Sequence, residues 1–422
     1  MRAPVPAVMA IVPDHVMTHV KVTAPVVVIA EVINREANSD IIYLNLPLIL
    51  CTMVNKSNLT RGIYITTNVT CNLNCVYCYE KDKTSKETFS VEAAKSVLKT
   101  TLSTITPRGT LINFHGGEPF LSFEKIKTLC EWAWQQNFPE KFTFFATSNG
   151  TLIHGAIKDW LFEHRKEFIV SLSLDGTREM HNANRSNSFD KIDLDFFISA
   201  WPRQGVKVTV SPLTIHSLAE GIKFIHEIGF TDVRANLAQM TEWNINYKET
   251  YERQLNILSE YYLANPQIER CSLFKVPFHA LKSKVIRKWC GAGTEMEAID
   301  IDGKTYPCHL FFPSVCGKEK AQNCLDFTDY RNYTSSFCIS CPFLAICPTC
   351  YGSNFIERGD ICLRDMNLCE LEKIRFKVVA QFEYKRIVES SYDLNALSIE
   401  ERHKRLATLE GIELISDHLS AI

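Results

Sequence analysis

Apolar positions between residues 61 and 265 switch repeatedly between the two-residue period of strands and the 3.6-residue period of helices. Ile63 and Ile65 alternate in Gly62-Ile-Tyr-Ile-Thr-Thr67 and predict a short strand. Ser90 caps a predicted helix running to about residue 105, with Glu92 in its first turn. Residues 111–114 predict a second strand, closed by Gly116-Gly117-Glu118-Pro119, and Ser122 opens a helix with Ile126, Leu129, Cys130 and Ala133 on one face. The pattern repeats with a strand at 142–146, a helix at 157–162, a strand at 168–174 ending in Asp175-Gly176, and a helix at 192–200. Val206, Val208 and Val210 alternate along a fifth strand, and Ser217 and Glu220 have the spacing of a capping box for a helix carrying Leu218, Ile222 and Ile225. A sixth strand at 233–238 leads into a longer helix with Tyr251, Leu255, Leu258 and Tyr262 on one stripe. Six strand–helix units in order wind by right-handed crossovers into a parallel sheet or a partial barrel, short of a closed eightfold one. The predicted class is α/β.

From about Trp289 the helical period disappears, and cysteine, glycine and proline take over. Order there is expected to come from metal ligation rather than from a large core. The helical period returns at Leu371, Ile374, Val378 and Phe382, and the charged tail to Ile422 is predicted helical. The first sixty residues carry two apolar stretches, 22–32 and 41–54, broken by Pro25 and Glu31 and by Asn45 and Pro47. Neither reaches the ~20 residues that span a bilayer. Arg2 is the only basic residue before His15, which argues against a secretory signal. This segment reads either as a small accessory module or as an extension of uncertain order with Met53 an alternative start; the extension is the expectation. The division is therefore 1–60 extension, 61–265 barrel, 266–375 cysteine-rich domain and 376–422 helical tail.

Composition adds little until the cysteines are counted. With 46% hydrophobic and 22% charged residues in 422, the chain is globular and can bury a core. A net charge of −2 gives no ground for nucleic-acid binding, and no stretch argues for a membrane. The sixteen cysteines are clustered, with three at 71–78 and four at 338–350. Clustered CxxC spacings favour metal sites over a disulfide framework, and so a reducing, cytoplasmic setting.

Cys71-Asn-Leu-Asn-Cys75-Val-Tyr-Cys78 follows directly on the first predicted strand. In a barrel of strand–helix units that is the end that carries chemistry. A disulfide would leave one of the three thiols over. A structural zinc site wants four protein ligands. A 4Fe–4S cluster held by three thiolates keeps one iron bare, and a small molecule can bind there.

The triplet, with Phe114-His-Gly-Gly-Glu-Pro119 after it, resembles a radical S-adenosylmethionine (radical SAM) enzyme over roughly residues 60–375. The resemblance implies a partial (β/α)6 TIM-like barrel and a reductive cleavage of S-adenosylmethionine to a 5′-deoxyadenosyl radical. It implies Cys71, Cys75 and Cys78 as cluster ligands and the Gly116–Gly117 turn, with Glu118, at the methionine amino group. Glycines also let backbone approach a ligand closely. Tyr77 is expected on the adenine side or as support of the cluster loop. Phe168-Ile-Val-Ser-Leu-Ser-Leu-Asp-Gly176 with His181 and Arg185 resembles the family's fourth strand and following loop. Ser173 would reach the ribose, although Ser171 alternates with it, and Arg185 the carboxylate, for which a guanidinium is suited. Leu237 is an expected adenine contact, while His115 and Asn149 read as supports of their turns.

Cys290-x12-Gly303-x4-Cys308 is followed by Cys338-x2-Cys341-x5-Cys347-x2-Cys350, then Cys362 and Cys369. Spacing alone would make zinc the default. The run is similar to the cysteine-rich α+β SPASM (twitch-type) domain, which in this family holds two auxiliary iron–sulfur clusters, here expected to be 4Fe–4S. Carried over by position, Cys290, Cys308 and Cys350 would hold the first, and Cys338, Cys341, Cys347 and Cys369 the second, with Cys362 a structural thiol. A fourth thiolate for the first cluster would come from Cys271, Cys316 or Cys324, or its iron is open. Two family branches follow. Ribosomal-peptide maturases link side chains of a precursor peptide through thioether, ether or cyclophane rings; anaerobic sulfatase-maturating enzymes make formylglycine from Ser or Cys. The second branch has an aspartate base just after the cysteine matching Cys308, where this chain has His309. His309 is a candidate catalytic base, or a donor to a cluster sulfur, and the missing aspartate favours the crosslinking branch. The family also implies a flavodoxin or ferredoxin as electron donor. A zinc-stabilised binding module is the non-enzymatic alternative; it leaves the Gly-Gly-Glu-Pro turn and the serine row without a role.

Overall fold

A computed structural model of the chain describes residues 61–80, 83, 85–283, 286, 288–323, 325–389 and 397–422. The expectations for residues 1–60 and for Cys324 lie outside the described residues.

All six strands form: β1 (Arg61–Asn68), β2 (Thr110–Gly116), β3 (Phe142–Ser148), β4 (Phe168–Leu172), β5 (Val206–Val210) and β6 (Val233–Leu237). The helices between them are α1 (Val91–Thr101), α2 (Phe123–Trp134), α3 (Gly155–Glu163), α4 (Arg178–Asn184), α5 (Leu194–Ala200), α6 (Leu218–Glu227) and α7 (Tyr247–Ala264). Strands β1 to β4 pair in parallel, β5 pairs with β6, and a bridge between Ser173 and Lys207 joins the two groups. One face of the strands packs on the helices. There Phe114, Phe144 and Phe168 stack, with Phe114 and Phe144 centroids 5.4 Å apart, against the buried Ile126, Leu129, Cys130 and Ala133 of α2. The alternation that buries these side chains turns Tyr64, His115 and Thr147 to the opposite face.

The cysteine-rich region is not a separate layer. Its hairpin, β7 (Met296–Ile299) and β8 (Thr305–Tyr306), adds to the barrel sheet, with β7 parallel to β1 in the register Gly62↔Met296 to Ile65↔Ile299. Strand β1 is thus flanked by β2 on one side and β7 on the other, so the loop leaving its end meets both cysteine-bearing regions. After three one-turn helices come the longer α8 (Tyr351–Arg358) and α9 (Met366–Tyr384), and α10 (Ile399–Glu413) lies in the tail.

Local expectations fared unevenly. The Ser90 hydroxyl accepts from the Ala93 N–H, as a cap should, but α1 stops at Thr101. The capping box at Ser217 is absent. The chain enters α6 through a 3-10 turn at Ile215–Ser217, so Ser217 is not the extended residue that a cap requires. Helix α8 arises where no helical period was visible, because the Cys350 sulfur accepts from the Ser353 N–H and Gly359, at φ 78°, ends it. Among the described residues no helix is long and apolar enough to cross a membrane.

Candidate active site

The loop after β1 is held from three sides. The Val76 N–H donates to the Asn184 carbonyl (3.0 Å), the Asn74 N–H to the Ser186 hydroxyl (2.9 Å), and Lys83 Nζ to the Leu73 carbonyl (2.9 Å). The Leu73 N–H points at Cys71 Sγ (3.4 Å), as does Asn149 Nδ2 (3.9 Å), and the Cys78 N–H closes a turn on the Cys75 carbonyl. Burial pushes the Cys71 thiol up to about 11 and raises that of Cys75, while the Arg185 guanidinium opposes the rise at Cys75.

The Gly-Gly-Glu-Pro turn lies directly on this loop. The Gly117 N–H donates to the Asn68 carbonyl (3.1 Å) and the Glu118 N–H to the Thr70 carbonyl (2.9 Å). A Cβ at Gly116, which sits at φ 138°, would stand 2.1 Å from the Asn68 oxygen, and one at Gly117 would stand 2.1 Å from the Thr70 oxygen. These glycines are therefore required first by the approach of two backbone segments. We expect Gly117→Ala to cost about 3 kcal/mol or more and to displace the cysteine loop. Thermal unfolding together with iron analysis would show a lowered midpoint and lowered cluster content; an unchanged midpoint would contradict the packing argument. Glu118 is buried. It accepts from the Ser148 hydroxyl (2.9 Å) and the N–H groups of Asn149 (2.9 Å) and Phe120 (3.2 Å). Burial raises it to about 7 against those bonds. Its side chain braces Asn149, which in turn holds Asn72 (2.9 Å), so Asn149 is the support it was expected to be.

Sequence reasoning quoted Asp175 only as the end of a strand, yet it is the hub of the opposite wall. Its carboxylate, wholly buried, accepts from Tyr77 Oη (2.5 Å), Arg185 Nε (2.9 Å), Asn184 Nδ2 (3.1 Å) and the Thr209 N–H (2.9 Å). A buried ion pair is tolerable when its remaining lone pairs are satisfied in this way. The pair fixes the Arg185 stem and leaves Nη1 4.0 Å from Cys75 Sγ, with the guanidinium over the Tyr77 ring. His181 steadies the same turn, accepting at Nδ1 from the Asp175 N–H (3.3 Å). Of the two serines, Ser171 donates to the Gly205 carbonyl (2.5 Å), which leaves Ser173 as the candidate for a ligand.

Between the two cysteine regions stands a group of rings that spacing did not reveal. Tyr79, next to Cys78, hydrogen-bonds His115 Nε2 (2.7 Å), and the His115 ring lies 4.1 Å from that of His309, next to Cys308. Burial, and the Lys207 ammonium nearby, lower His309 to about 4; burial also holds His115 well below the usual imidazole range. Among the described residues, His309 Nδ1 is buried with no hydrogen-bond partner. Lys207 itself donates to the Thr147 hydroxyl (2.8 Å) and is lowered to about 8 by burial. A cavity of about 690 Å³ opens onto this group, with Tyr77 and Leu237 on the barrel side and His309, Cys350, Arg364 and Cys369 on the other.

The later cysteines lie near one another in two neighbourhoods. Cys308 and Cys350 lie within electrostatic reach of Cys290, and Cys369, Cys341 and Cys347 within reach of one another. Cys338 and Cys369 share the neighbourhood of Arg364, and Cys362 lies beside Cys338. Burial pushes Cys347 up to about 12 and Cys350 to about 11. Two of the candidate fourth thiolates are placed elsewhere. Cys271 is buried in the barrel core, its N–H donating to Tyr262 Oη (3.0 Å), and Cys316 donates to the Phe311 carbonyl (3.4 Å). Among the described residues no three His, Cys, Asp or Glu side chains converge as the ligands of a single ion do; in a four-iron cluster each thiolate holds its own iron.

A parallel, partial barrel with a cysteine triplet leaving the end of its first strand defines a radical SAM domain. Residues 65–194 match the Radical SAM superfamily, and the chain carries that domain. It is 31% identical over 136 residues to the cysteine-type anaerobic sulfatase-maturating enzyme of Clostridium perfringens (strain 13 / Type A), covering 29% of this chain and 36% of that one. It is 30% identical over 137 residues to the enzyme of the same name from Clostridium novyi (strain NT), covering 29% and 35%. The chain thus spans little more than a third of the length of these curated relatives. Its fold is shared with solved anSMEcpe with bound AdoMet, at TM-score 0.62, 20% identity and coverage of 84% of this chain and 99% of that one. It is also shared with Streptococcus suis SuiB, at TM-score 0.51, 16% identity and coverage of 81% and 86%.

Proposed function

We propose that this chain is a radical SAM oxidoreductase acting on a peptide side chain, most specifically one that closes an intramolecular crosslink in a ribosomally made precursor peptide. The single observation that carries the reading is the cavity reached at once by the triplet loop, by His309 and by the later cysteines.

The residues fit the groups the family implies. Cys71, Cys75 and Cys78 would hold three irons of a four-iron cluster and leave the fourth bare. Such a cluster, with S-adenosylmethionine bound and one electron supplied, would give a 5′-deoxyadenosyl radical by reductive cleavage. Arg185, fixed through Nε by Asp175, keeps its outer nitrogens for a carboxylate close to Cys75. Ser173 is the ribose candidate, and Tyr77 and Leu237 line the space for the adenine. Gly116 and Gly117 set the wall against which the methionine end would lie, and Glu118 holds that wall to β3 through Ser148 and Asn149. Cys338, Cys341, Cys347 and Cys369 suit a closed four-thiolate cluster. Cys290, Cys308 and Cys350 suit a second, for which the described residues supply three thiolates. An electron leaving the substrate would pass to these sites, and a flavodoxin or ferredoxin would serve the first.

What supports the base role is that His309 lines the cavity and, among the described residues, its buried Nδ1 has no hydrogen-bond partner. Its side chain would take the proton released as the peptide radical is oxidised. The formylglycine reading keeps one observation in its favour, the identity to sulfatase-maturating enzymes. The two readings separate on a random-sequence peptide library treated with protein, S-adenosylmethionine and dithionite. Both give products lighter by two hydrogens from serine, but only a formylglycine captures a hydrazide reagent. We expect peptides that have lost two hydrogens, do not take up hydrazide and resist fragmentation between two residues. We expect His309→Ala to form 5′-deoxyadenosine but about tenfold or more less product. Hydrazide-reactive products throughout would move the chain to the other branch.

A further inference from the structure

Helices α8 and α9 are joined by residues 359–365, and this connection carries the one arginine of the second cysteine group that meets sulfur instead of carboxylate. Arg364 Nη1 is directed at Cys347 Sγ, in direct contact with it, and donates to the Pro348 carbonyl (3.1 Å). The carboxylates around it are taken by other cations. Asp365 lies 3.7 Å from Arg358, Glu372 pairs with Arg375 at 2.5 Å, and Glu370 pairs with Lys248 at 2.7 Å and with Lys373. Among the described residues no carboxylate forms an ion pair with Arg364. The Arg364 side chain is half-buried on the wall of the central cavity, which Cys347 and Cys369 also line.

A cluster with four thiolates carries net negative charge, and one more electron makes it more negative. A fixed guanidinium donating to a ligand sulfur stabilises the more reduced form over the oxidised one. Hydrogen bonds to sulfur, net charge and solvent exposure are the levers by which a protein sets such a potential. A sulfur that ligates iron still has a lone pair for the N–H of Arg364.

We propose that Arg364 is a positioning residue that raises the reduction potential of the auxiliary cluster held by Cys338, Cys341, Cys347 and Cys369, making that cluster the sink for electrons leaving the cavity. This rests on reading residues 338–369 as an iron–sulfur site. The Cys362 thiol, beside Cys338 and without that arginine contact, takes no part in the effect.

The test uses the full chain, purified without oxygen and reconstituted with iron and sulfide. Iron is counted, and the protein is titrated reductively with electron paramagnetic resonance detection. The couple of the second auxiliary cluster is the one lost in Cys341→Ala. In Arg364→Gln, which keeps a donor but not the charge, we expect iron content unchanged and that couple moved to lower potential. At the poise of the unsubstituted midpoint, the reduced-to-oxidised ratio should fall about tenfold, a shift of about 59 mV for one electron. Arg364→Lys, which keeps the charge, should recover most of the shift. An unmoved couple in Arg364→Gln at full iron content overturns the proposal. So does loss of the cluster in both variants, which would make Arg364 a structural support of its loop. An unsubstituted protein without iron at this site overturns both the proposal and the reading beneath it.

Discussion

Cys75→Ala is expected to reduce 5′-deoxyadenosine formation from S-adenosylmethionine and dithionite to the level of a protein-free control. With Cys71, Cys75 and Cys78 as the only thiolates of the first cluster, removing one leaves two, and a cluster that needs three protein thiolates loses its anchorage. Cys75 also faces Arg185 Nη1, so the substitution removes the sulfur nearest the proposed carboxylate site. The loss should be in chemistry and not in folding. The loop is held by bonds from Val76, Asn74 and Leu73, none of which uses the Cys75 side chain. Circular dichroism should therefore be unchanged while iron falls by the content of one cluster. Retained deoxyadenosine in a folded variant would remove the central assignment.

Cys341→Ala has the second large effect, and it divides the reaction. Cys341 lies within reach of Cys347 and Cys369, two residues that line the cavity. Cleavage of S-adenosylmethionine needs only the first site and should continue. Oxidation of the peptide radical needs an electron acceptor, and product should fall by about two orders of magnitude, since even outer partners of a metal site cost 10–100-fold when removed. Chromatography for deoxyadenosine and mass spectrometry for peptide, run on the same samples, give the two numbers. Equal loss of both would make the second site structural; undiminished product would exclude it from the mechanism.

Much of this architecture was legible in the sequence because it is written in period and spacing. Six strands appear where alternation placed them, since each must bury one face on a helix. The triplet at 71–78 was legible as one unit because a short loop keeps its three thiols together, whereas sorting Cys290, Cys308 and Cys350 from Cys338, Cys341, Cys347 and Cys369 rested on the family resemblance, since Cys347 and Cys350 are neighbours in sequence. What stayed hidden was long-range. Nothing in Met296–Ile299 announces that it will pair with β1. Tyr79, His115 and His309 lie on three separate segments, a loop, a strand and a 3-10 turn, and only the tertiary fold brings their rings together. Asp175 looked like an ordinary strand end, because its four hydrogen bonds come from residues as distant as Tyr77 and Thr209. Arg364 sits in a short connection with no periodicity to mark it. Ser217 shows the converse: a correct spacing was overruled by the 3-10 turn that leads into its helix.

The account stands or falls on what the sixteen cysteines hold. Iron, acid-labile sulfide and zinc per chain, measured on protein purified without oxygen, test it most directly. About twelve irons, with matching sulfide and no zinc, is the predicted result, corresponding to three four-iron clusters. About four irons with one or two zincs would contradict it, because the region after Trp289 would then be a structural zinc domain with no part in oxidising a peptide.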